Sequence, residues 1–240
     1  PPRSSVAAAG DFLHMSRSGA MTEDPTVASY DTVARRYADE IGDELAGKPV
    51  ERAMYACLAE LVAPLATALP VGDVGCGPGH VTRHLADLGL RAVGVDASPG
   101  MVEVARERYP GLEFRAGTFA ALGVPDAGWA GAVVAYSLIH LGPGDRPAAY
   151  AELARAVTPG GWLLASFHVR RPGRNEPGTV AHLDEWWGHR VSLDFHFLDP
   201  DDVSSGLAKA GFAVMTRTDR QPWPGAEEPT ERCHLLARRV

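Results

Sequence analysis

Three glycines and two acids have the types and spacing of a ligand site. Gly75, Gly77 and Gly79 lie directly after a short apolar segment that contains Asp73. Glycine lets the backbone turn sharply and approach a ligand closely. About twenty residues after these glycines a second apolar segment ends at Asp96, where a carboxylate accepts hydrogen bonds from a ribose in nucleoside-binding folds. The combination predicts a site for a nucleoside-bearing cofactor.

The spacing of the glycines separates two classes of cofactor. The pattern is Gly-x-Gly-x-Gly, which differs from the Gly-x-Gly-x-x-Gly pattern of dinucleotide-binding sites. A nicotinamide-dependent oxidoreductase is therefore the less favoured interpretation. Cys76 lies within the glycine run, and we interpret it as a small residue that fits a tight turn rather than as a redox group or nucleophile.

Histidines supply the candidate bases. The chain has nine histidines. Four of them lie at the end of the predicted fifth strand or in the segment that follows it: His168, His182, His189 and His196. A neutral imidazole removes a proton from a hydroxyl or an amine during group transfer. His168 is the first candidate because it ends a predicted strand, and His140 and His196 follow it. Alternatively, each is hydrogen-bonded within a cap, and their spacing predicts no metal site.

An aromatic group lies in the same late segment. Trp186, Trp187, Phe195 and Phe197 could form a wall for a planar substrate or enclose a cation. The alternation of apolar residues over 191–197 equally favours an ordinary strand packed on the domain, so both interpretations stand. The acidic run over 199–202 contains a proline, and it predicts helix capping rather than metal binding.

The chemistry-bearing residues need a scaffold that brings strand ends together. From residue 69 onward predicted strands alternate with predicted helices, which is typical of a sheet built from right-handed crossovers. Two helical patterns over 30–68 precede it, with an interruption near Gly47-Lys48-Pro49. The predicted strands are 70–75, 91–96, 112–116, 130–136, 161–168, 212–219 and 232–239, and the predicted helices are 79–88, 99–108, 119–122, 145–157 and 200–210. Residues 169–198 are predicted to form a small cap insertion over the carboxyl ends of the strands, where ligands bind in open α/β sheets.

The glycine run preceded by Asp73 resembles motif I of the class I S-adenosylmethionine-dependent methyltransferases, and Asp96 falls at the position of that family's ribose-binding acid. The resemblance covers residues 30–240. It implies an α/β fold with a Rossmann-like, seven-stranded, mostly parallel sheet, helices on both faces and two antiparallel final strands. It also implies that S-adenosylmethionine is the cofactor. The methyl group would move to an oxygen or nitrogen of a small molecule, and S-adenosylhomocysteine would be released.

The resemblance also implies site residues. Asp73 would help to hold the amino group of the cofactor, and Asp96 would bind the ribose hydroxyls. The third predicted strand is followed by Gly117 without the acid that the family usually places near the adenine. The implied cofactor residues are Tyr30, Tyr37, Asp73, Gly75, Cys76, Gly77, Gly79, Asp96, Ala97, Ser98, Met101, Gly117, Thr118, Phe119, Tyr136 and Ser137.

Composition limits the partners. The chain has 240 residues and a formal net charge of −7, and an acidic surface disfavours general binding to nucleic acids. Its three cysteines are widely separated and predict neither a disulfide framework nor a zinc site, which fits a reducing compartment. No segment approaches the roughly twenty apolar residues of a membrane span. We expect a cytoplasmic monomer or homodimer that acts on a small molecule, with no nucleic-acid or membrane partner.

Two further expectations concern the boundaries and the activity. Residues 1–20 are predicted to be a disordered or artificial extension, with Met15 and Met21 as alternative starts, and residues 21–240 to form one domain. A protein that binds S-adenosylmethionine without transferring its methyl group is the main alternative, because the motif reports binding rather than turnover. Nucleic-acid methylation is a weaker alternative, since no Asn/Asp-Pro-Pro-aromatic tetrad follows the fourth predicted strand.

Overall fold

The computed structural model describes residues 24–224 and 227–240, so the predicted extension over 1–20 lies outside the described residues. The first helix, α1 (Pro25–Ile41), begins before the predicted start near residue 30 because Asp24 caps it. The Asp24 carboxylate accepts a hydrogen bond from the Thr26 amide at 2.9 Å, which satisfies one free amide of the first turn. A short 3-10 helix (Glu44–Gly47) follows, and α2 (Pro49–Ala66) begins at the proline of the predicted interruption.

A seven-stranded sheet forms the centre of the fold. The strands of the described residues, in chain order, are β1 (Val71–Val74), β2 (Ala92–Asp96), β3 (Glu113–Ala116), β4 (Trp129–Ala135), β5 (Val157–Arg170), β6 (Val180–Trp186), β7 (His189–His196), β8 (Phe212–Arg220) and β9 (Glu231–Arg239). All of them except β6 and β7 belong to this sheet. The order across the sheet is β3-β2-β1-β4-β5-β9-β8. The first five are parallel, and β9 runs antiparallel to both of its neighbours. The predicted mostly parallel sheet is confirmed. Of the two final strands, which pair antiparallel to each other as predicted, only β9 runs against the rest of the sheet, because β8 has the same direction as β5.

Helices cover both faces of this sheet. The remaining helices are α3 (His80–Asp87), α4 (Pro99–Arg108), α5 (Arg146–Ala156) and α6 (Pro200–Lys209). One apolar cluster joins the sheet to Leu58 of α2 and Leu85 of α3. A second joins it to Leu153 of α5 and Leu207 of α6. Burial of such side chains on both faces explains why the central strands are almost continuously apolar.

Two predicted elements differ from the structure. The predicted helix over 119–122 is wrong, because Thr118 and Ala121 form an isolated antiparallel bridge. Their backbones exchange two hydrogen bonds, at 3.1 and 3.0 Å, so those amides are unavailable to a helix. The fifth strand begins at Val157 rather than after the predicted turn at Gly160. That turn is instead an irregularity in the pairing of β5 with β4, with Gly160 at a φ of +82°.

Helix caps follow the predicted residues. The Ser98 hydroxyl accepts a hydrogen bond from the Met101 amide at 3.0 Å at the start of α4. The Asp199 carboxylate accepts one from the Asp201 amide at 2.8 Å at the start of α6. The capping interpretation of the acidic run over 199–202 is therefore confirmed.

The insertion after β5 is a two-stranded hairpin of β6 and β7. Val191 and Leu193 of β7 are buried against Val33 of α1, and the Ser192 amide donates to the Ser29 hydroxyl at 2.8 Å. Of the two interpretations left open for this segment, these contacts favour the packed strand. Through these contacts the hairpin and α1 form one cover over the edge of the sheet. Within residues 24–224 and 227–240, no helix has the length and apolarity needed to cross a membrane.

Candidate functional site

A cavity of about 220 Å³ lies at the carboxyl ends of β1, β2 and β4. This edge is where open α/β sheets bind ligands, because the strand order reverses between β1 and β4. Every predicted cofactor residue except Gly79 lines the cavity. Those residues are Tyr30, Tyr37, Asp73, Gly75, Cys76, Gly77, Asp96, Ala97, Ser98, Met101, Gly117, Thr118, Phe119, Tyr136 and Ser137.

The three glycines of the loop have a backbone conformation that only glycine adopts without strain. Gly75, Gly77 and Gly79 have φ values of +72°, +52° and +87°, which carry a cost for residues with a side chain. A Cβ on Gly75 would lie 2.2 Å from the Ser137 Cβ. A Cβ on Gly79 would lie 2.7 Å from the Phe114 ring. Gly79 therefore allows α3 to pack on β3, whereas Gly75 lets the loop approach the end of β4.

Asp96 joins this loop to the start of α4. Its carboxylate accepts hydrogen bonds from the Gly77 and Ser98 amides, both at 2.8 Å. Burial raises the pKa of Asp96, and the two amide hydrogen bonds oppose that shift. The carboxylate has acceptor capacity left beyond these two bonds, and it faces the cavity that it lines. Such a group is suited to a pair of vicinal hydroxyls.

Asp73 lies at the end of β1 and is 1 % exposed. Its carboxylate accepts a hydrogen bond from the Thr82 hydroxyl at 2.6 Å. Burial raises the pKa of Asp73 to about 6 despite this hydrogen bond. A cationic ligand group near Asp73 would stabilise the ionised carboxylate, so the site suits an ammonium.

The cavity has a polar floor whose residues no sequence pattern predicted. Five residues from the 3-10 helix, the cap of α2, α2 itself and the start of α3 line it: Glu44, Lys48, Glu51, Tyr55 and His80. Glu44 accepts from the Lys48 ammonium at 2.7 Å and lies 3.2 Å from His80 Nε2. Burial opposes the ionisation of Glu44, but His80 and Lys48 lower its pKa to about 2. The one sequence feature that pointed to this ion pair was the four-residue spacing between Glu44 and Lys48. Pairs with this spacing usually lie on the surface of a helix, so the spacing alone does not indicate a cavity.

The strand end above this floor is anchored by buried charges. Tyr136 has a φ of +56°, and its hydroxyl donates to the Glu51 carboxylate at 2.9 Å. Glu51 also pairs with Arg220, which donates to Glu227 at 3.0 Å. Burial raises the pKa of Glu51, but the hydrogen bond from Arg220 outweighs this effect and holds that pKa below its ordinary value. Buried charges of this kind require partners, so the network holds α2 and β8 against the end of β4.

The three predicted bases occupy different places. His168 is absent from the cavity lining; its Nδ1 lies 2.8 Å from the Thr230 hydroxyl and its ring is 5.0 Å from the Tyr136 ring. His196, on β7, is also outside the lining. His140, in the 3-10 helix Leu138–His140 that follows β4, lines the cavity. The geometry therefore makes His140 the candidate base in place of the first choice, His168.

The aromatic residues of the hairpin support α1. Trp186 and Trp187 stack at 4.5 Å between ring centroids, and Trp186 contacts Tyr30 and Tyr37 edge-to-face at 6.3 and 5.4 Å. Neither tryptophan is part of the cavity lining. The tryptophans thus lie behind the two tyrosines that do line it, and they position those rings.

Acid is expected to destabilise the folded protein. Burial lowers the pKa of His140 and His234 to about 4, and that of His168 well below its ordinary value. The unfolded chain binds these protons near pH 6.5 and the folded chain does not, so the stability present above about pH 6.5 is lost toward pH 4. The loss is about 3 kcal/mol for each of His140 and His234. The carboxyl groups of Asp73 and Asp96, whose pKa values burial raises, oppose this trend. Calorimetric melting temperatures from about pH 7.5 to about pH 4.5 measure the net loss.

Two variants test whether a buried histidine causes the loss of stability in acid. His234 is fully buried, so His234→Asn should make the melting temperature depend less steeply on pH. His189 lies on the exposed end of β7, and His189→Asn should leave the dependence unchanged. A melting temperature that stays constant down to about pH 4.5 would contradict the prediction.

Comparisons with known proteins agree with this geometry. A family model described as a methyltransferase domain matches residues 71–161. The chain is 38% identical over 115 residues to a malonyl-[acyl-carrier protein] O-methyltransferase of Serratia marcescens, a match that covers 48% of this chain and 42% of that protein. The chain spans about half the length, or less, of the first curated relatives that it matches.

Two solved structures share the fold. An S-adenosylmethionine-dependent methyltransferase of Methanosarcina mazei has a TM-score of 0.61 at 19% identity, over 71% of this chain and 92% of that chain. The CcbJ methyltransferase of Streptomyces caelestis has a TM-score of 0.65 at 20% identity, over 90% of this chain and 99% of that chain. At these identities the likeness establishes the fold.

Proposed function

Because residues 71–161 form a methyltransferase domain on the fold of the class I S-adenosylmethionine-dependent methyltransferases, we propose that this chain transfers a methyl group from S-adenosylmethionine to an oxygen or nitrogen of a small molecule. One observation carries the proposal. A single cavity at the carboxyl ends of the strands contains the glycine loop, the Asp96 carboxylate and the side chains of Tyr30 and His140.

The residues present fit this cofactor. Asp96 would accept hydrogen bonds from the ribose hydroxyls, and Asp73 would face the amino group. A Cβ added to Gly77 would lie 3.9 Å from the nearest side-chain atom, which belongs to Tyr37. The loop therefore leaves room for a ligand against its backbone at this position. The adenine would lie beside Ser98, Met101, Thr118 and Phe119, which line the far end of the cavity.

The cofactor, when bound, supplies an electrophilic methyl group on a sulfonium. The protein aligns an acceptor with that methyl and keeps water away from it. Tyr136, Ser137 and His140 follow β4 and line the acceptor end, while α1 and the hairpin cover it. We propose His140 as the group that receives the acceptor's proton, with Tyr30 and Tyr37 as part of the cover.

The size of the acceptor follows from the same cover. Tyr30 and Tyr37 of α1 line the cavity, and β7 packs on α1, so these elements cover the site. A cavity of about 220 Å³ suits a small molecule better than a folded macromolecule. The acidic charge of −7 also disfavours a nucleic-acid substrate. The cytoplasmic location, the monomeric or homodimeric state and the single domain over 21–240 remain predictions.

Calorimetric titration with S-adenosylmethionine and S-adenosylhomocysteine tests the proposal. We expect both to bind in the micromolar range and NAD not to bind. The absence of binding by folded, ligand-free protein would overturn the proposal. Binding that is never followed by release of S-adenosylhomocysteine would favour a non-methylating S-adenosylmethionine-binding protein instead.

A further inference from the structure

A phenol and an imidazole meet inside the cavity. Tyr30 comes from α1 and His140 from the 3-10 helix after β4, and the Tyr30 hydroxyl lies 2.7 Å from His140 Nε2. Both residues line the cavity. We propose that Tyr30 contacts the acceptor and passes the acceptor's proton to His140, and that the acceptor is a hydroxyl group. This inference rests on the methyl transfer proposed above.

The direction of the hydrogen bonds follows from the surroundings of His140. Its Nδ1 lies 3.0 Å from the backbone carbonyl oxygen of Asp194 on β7. A carbonyl oxygen only accepts hydrogen bonds, so Nδ1 carries the proton and donates it. In the neutral ring Nε2 is then the acceptor, and the Tyr30 hydroxyl donates to it. The hairpin therefore selects the tautomer of His140 that can receive a proton from the side of the cavity.

The Tyr30 oxygen keeps acceptor capacity on its cavity side. A phenolic hydroxyl donates one hydrogen bond and accepts others, and its own proton is committed to Nε2. Edge-to-face contacts with Tyr37 at 5.7 Å and with Trp186 at 6.3 Å hold the ring. A hydroxyl group of an acceptor in the cavity can therefore donate a hydrogen bond to the Tyr30 oxygen. A lone pair on the acceptor oxygen then remains available to attack the methyl group.

The proton path balances with the methyl transfer. As the acceptor oxygen forms its bond to the methyl carbon, the carbon–sulfur bond breaks and its electron pair stays on sulfur. The acceptor proton moves to the Tyr30 oxygen while the Tyr30 proton moves to His140 Nε2. The products are a methyl ether, neutral Tyr30 and an imidazolium whose Nδ1 still donates to the Asp194 carbonyl. The imidazolium releases its proton to solvent when the products leave.

The electrostatic surroundings favour a hydroxyl over other acceptors. Burial lowers the pKa of His140 to about 4. The titratable groups that face it are Tyr30 of α1, Asp24 at the cap of α1, Asp194 and His196 of β7, and His168 of β5. A neutral imidazole of this kind cannot take a proton from an alkylammonium before attack. A carboxylate acceptor has no proton to give. A hydroxyl becomes strongly acidic only as its oxygen is methylated, and a weak base then suffices.

Nitrogen NMR of histidine-labelled protein tests the arrangement without any acceptor. We expect His140 to carry its proton on Nδ1 and to show an unprotonated Nε2 that shifts in Tyr30→Phe, where the donor is removed. A proton on Nε2 in the wild-type protein would overturn the inference. Tyr109→Phe removes a phenol at the cap that follows α4, outside the cavity lining, and it should leave the His140 signals unchanged.

Methyl transfer to matched probes tests the chemistry. The probes are a phenol, an aniline, a benzylamine and a benzoate of one ring size, each with S-adenosylmethionine and with release of S-adenosylhomocysteine as the readout. We expect transfer to the phenol. Tyr30→Phe should lower kcat about 100-fold while the Kd of S-adenosylmethionine changes less than about threefold, because the aromatic ring is kept. His140→Gln should lower kcat similarly and should alter its pH profile toward pH 4, where the wild-type imidazole becomes protonated.

The outcomes separate this inference from the proposed function. Transfer only to a nitrogen or a carboxylate, or an unchanged kcat in Tyr30→Phe, would overturn the Tyr30–His140 path and leave the methyltransferase intact. S-adenosylmethionine binding without transfer to any probe would count against methyl transfer to small molecules itself.

Discussion

Replacing Asp96 by alanine is expected to weaken the binding of S-adenosylmethionine by at least about 100-fold, because two charge-assisted hydrogen bonds of about 1.5–3 kcal/mol each are lost. The carboxylate is the proposed partner of the ribose hydroxyls, and it also accepts the Gly77 and Ser98 amides at 2.8 Å. Both amides would be left unpaired, so the loop would lose its position as well. Calorimetric titration of the folded variant measures the effect.

Two companion variants make this prediction specific. In Asp96→Asn the side-chain oxygen can still accept from Ser98, but the new amide group faces the Gly77 N–H and repels it. We expect an affinity between those of the wild type and Asp96→Ala. Asp87→Ala removes a carboxylate from an exposed ion pair with Arg83 on α3, which contributes little, and should bind as the wild type does. Wild-type affinity in Asp96→Ala would show that the cofactor does not lie at the end of β2.

Gly75→Ala is expected to lower the free energy of unfolding by about 2–5 kcal/mol, the sum of a left-handed backbone cost and an overpacking cost. Gly75 has a φ of +72°, and the added Cβ would lie 2.2 Å from the Ser137 Cβ and 2.6 Å from its hydroxyl oxygen. That hydroxyl donates to the Val74 carbonyl at 2.7 Å, so Ser137 is not free to move away. Urea unfolding measures the loss.

Gly77→Ala is the matched comparison. Its φ is +52°, but the nearest atom to an added Cβ is 3.9 Å away on Tyr37. It should lower stability by only about 1–2 kcal/mol while its methyl group occupies space proposed for the cofactor. In Gly75→Ala/Ser137→Gly the clash is removed and the backbone cost remains, so part of the stability should return. Equal losses in Gly75→Ala and Gly77→Ala would show that the contact with Ser137 is unimportant.

Much of the site could be predicted from local sequence. Gly75, Gly77 and Asp96 lie at the ends of strands that the apolar residues of the sequence predict. Parallel strands bring their carboxyl ends to one edge of the sheet, so these residues are expected to lie close together. The polar floor was not predictable in this way. Glu44 and Lys48 are close in sequence to each other but distant from Asp73 and His80, and only the packing of α2 beside β4 brings them to the same cavity.

The histidines show where local reasoning ends. His168 lies near the end of β5 and His140 follows β4, and sequence alone ranked His168 first. In the structure His168 packs behind Tyr136 and bonds to Thr230, whereas His140 reaches the cavity beside Tyr30. The choice depends on the direction of each side chain at the strand end, which contacts from β7, β9 and α1 decide.

The amino-acid sequence by itself determined the alternation of strands and helices, the glycine loop and the acid at the end of β2, because these depend on local backbone preferences and on apolar periodicity. Tertiary structure decided which side chains share the cavity, which tautomer His140 adopts and how the hairpin holds α1. Those properties depend on contacts between segments far apart in the chain, such as Tyr30 with His140 and His140 with Asp194, and no local pattern specifies them.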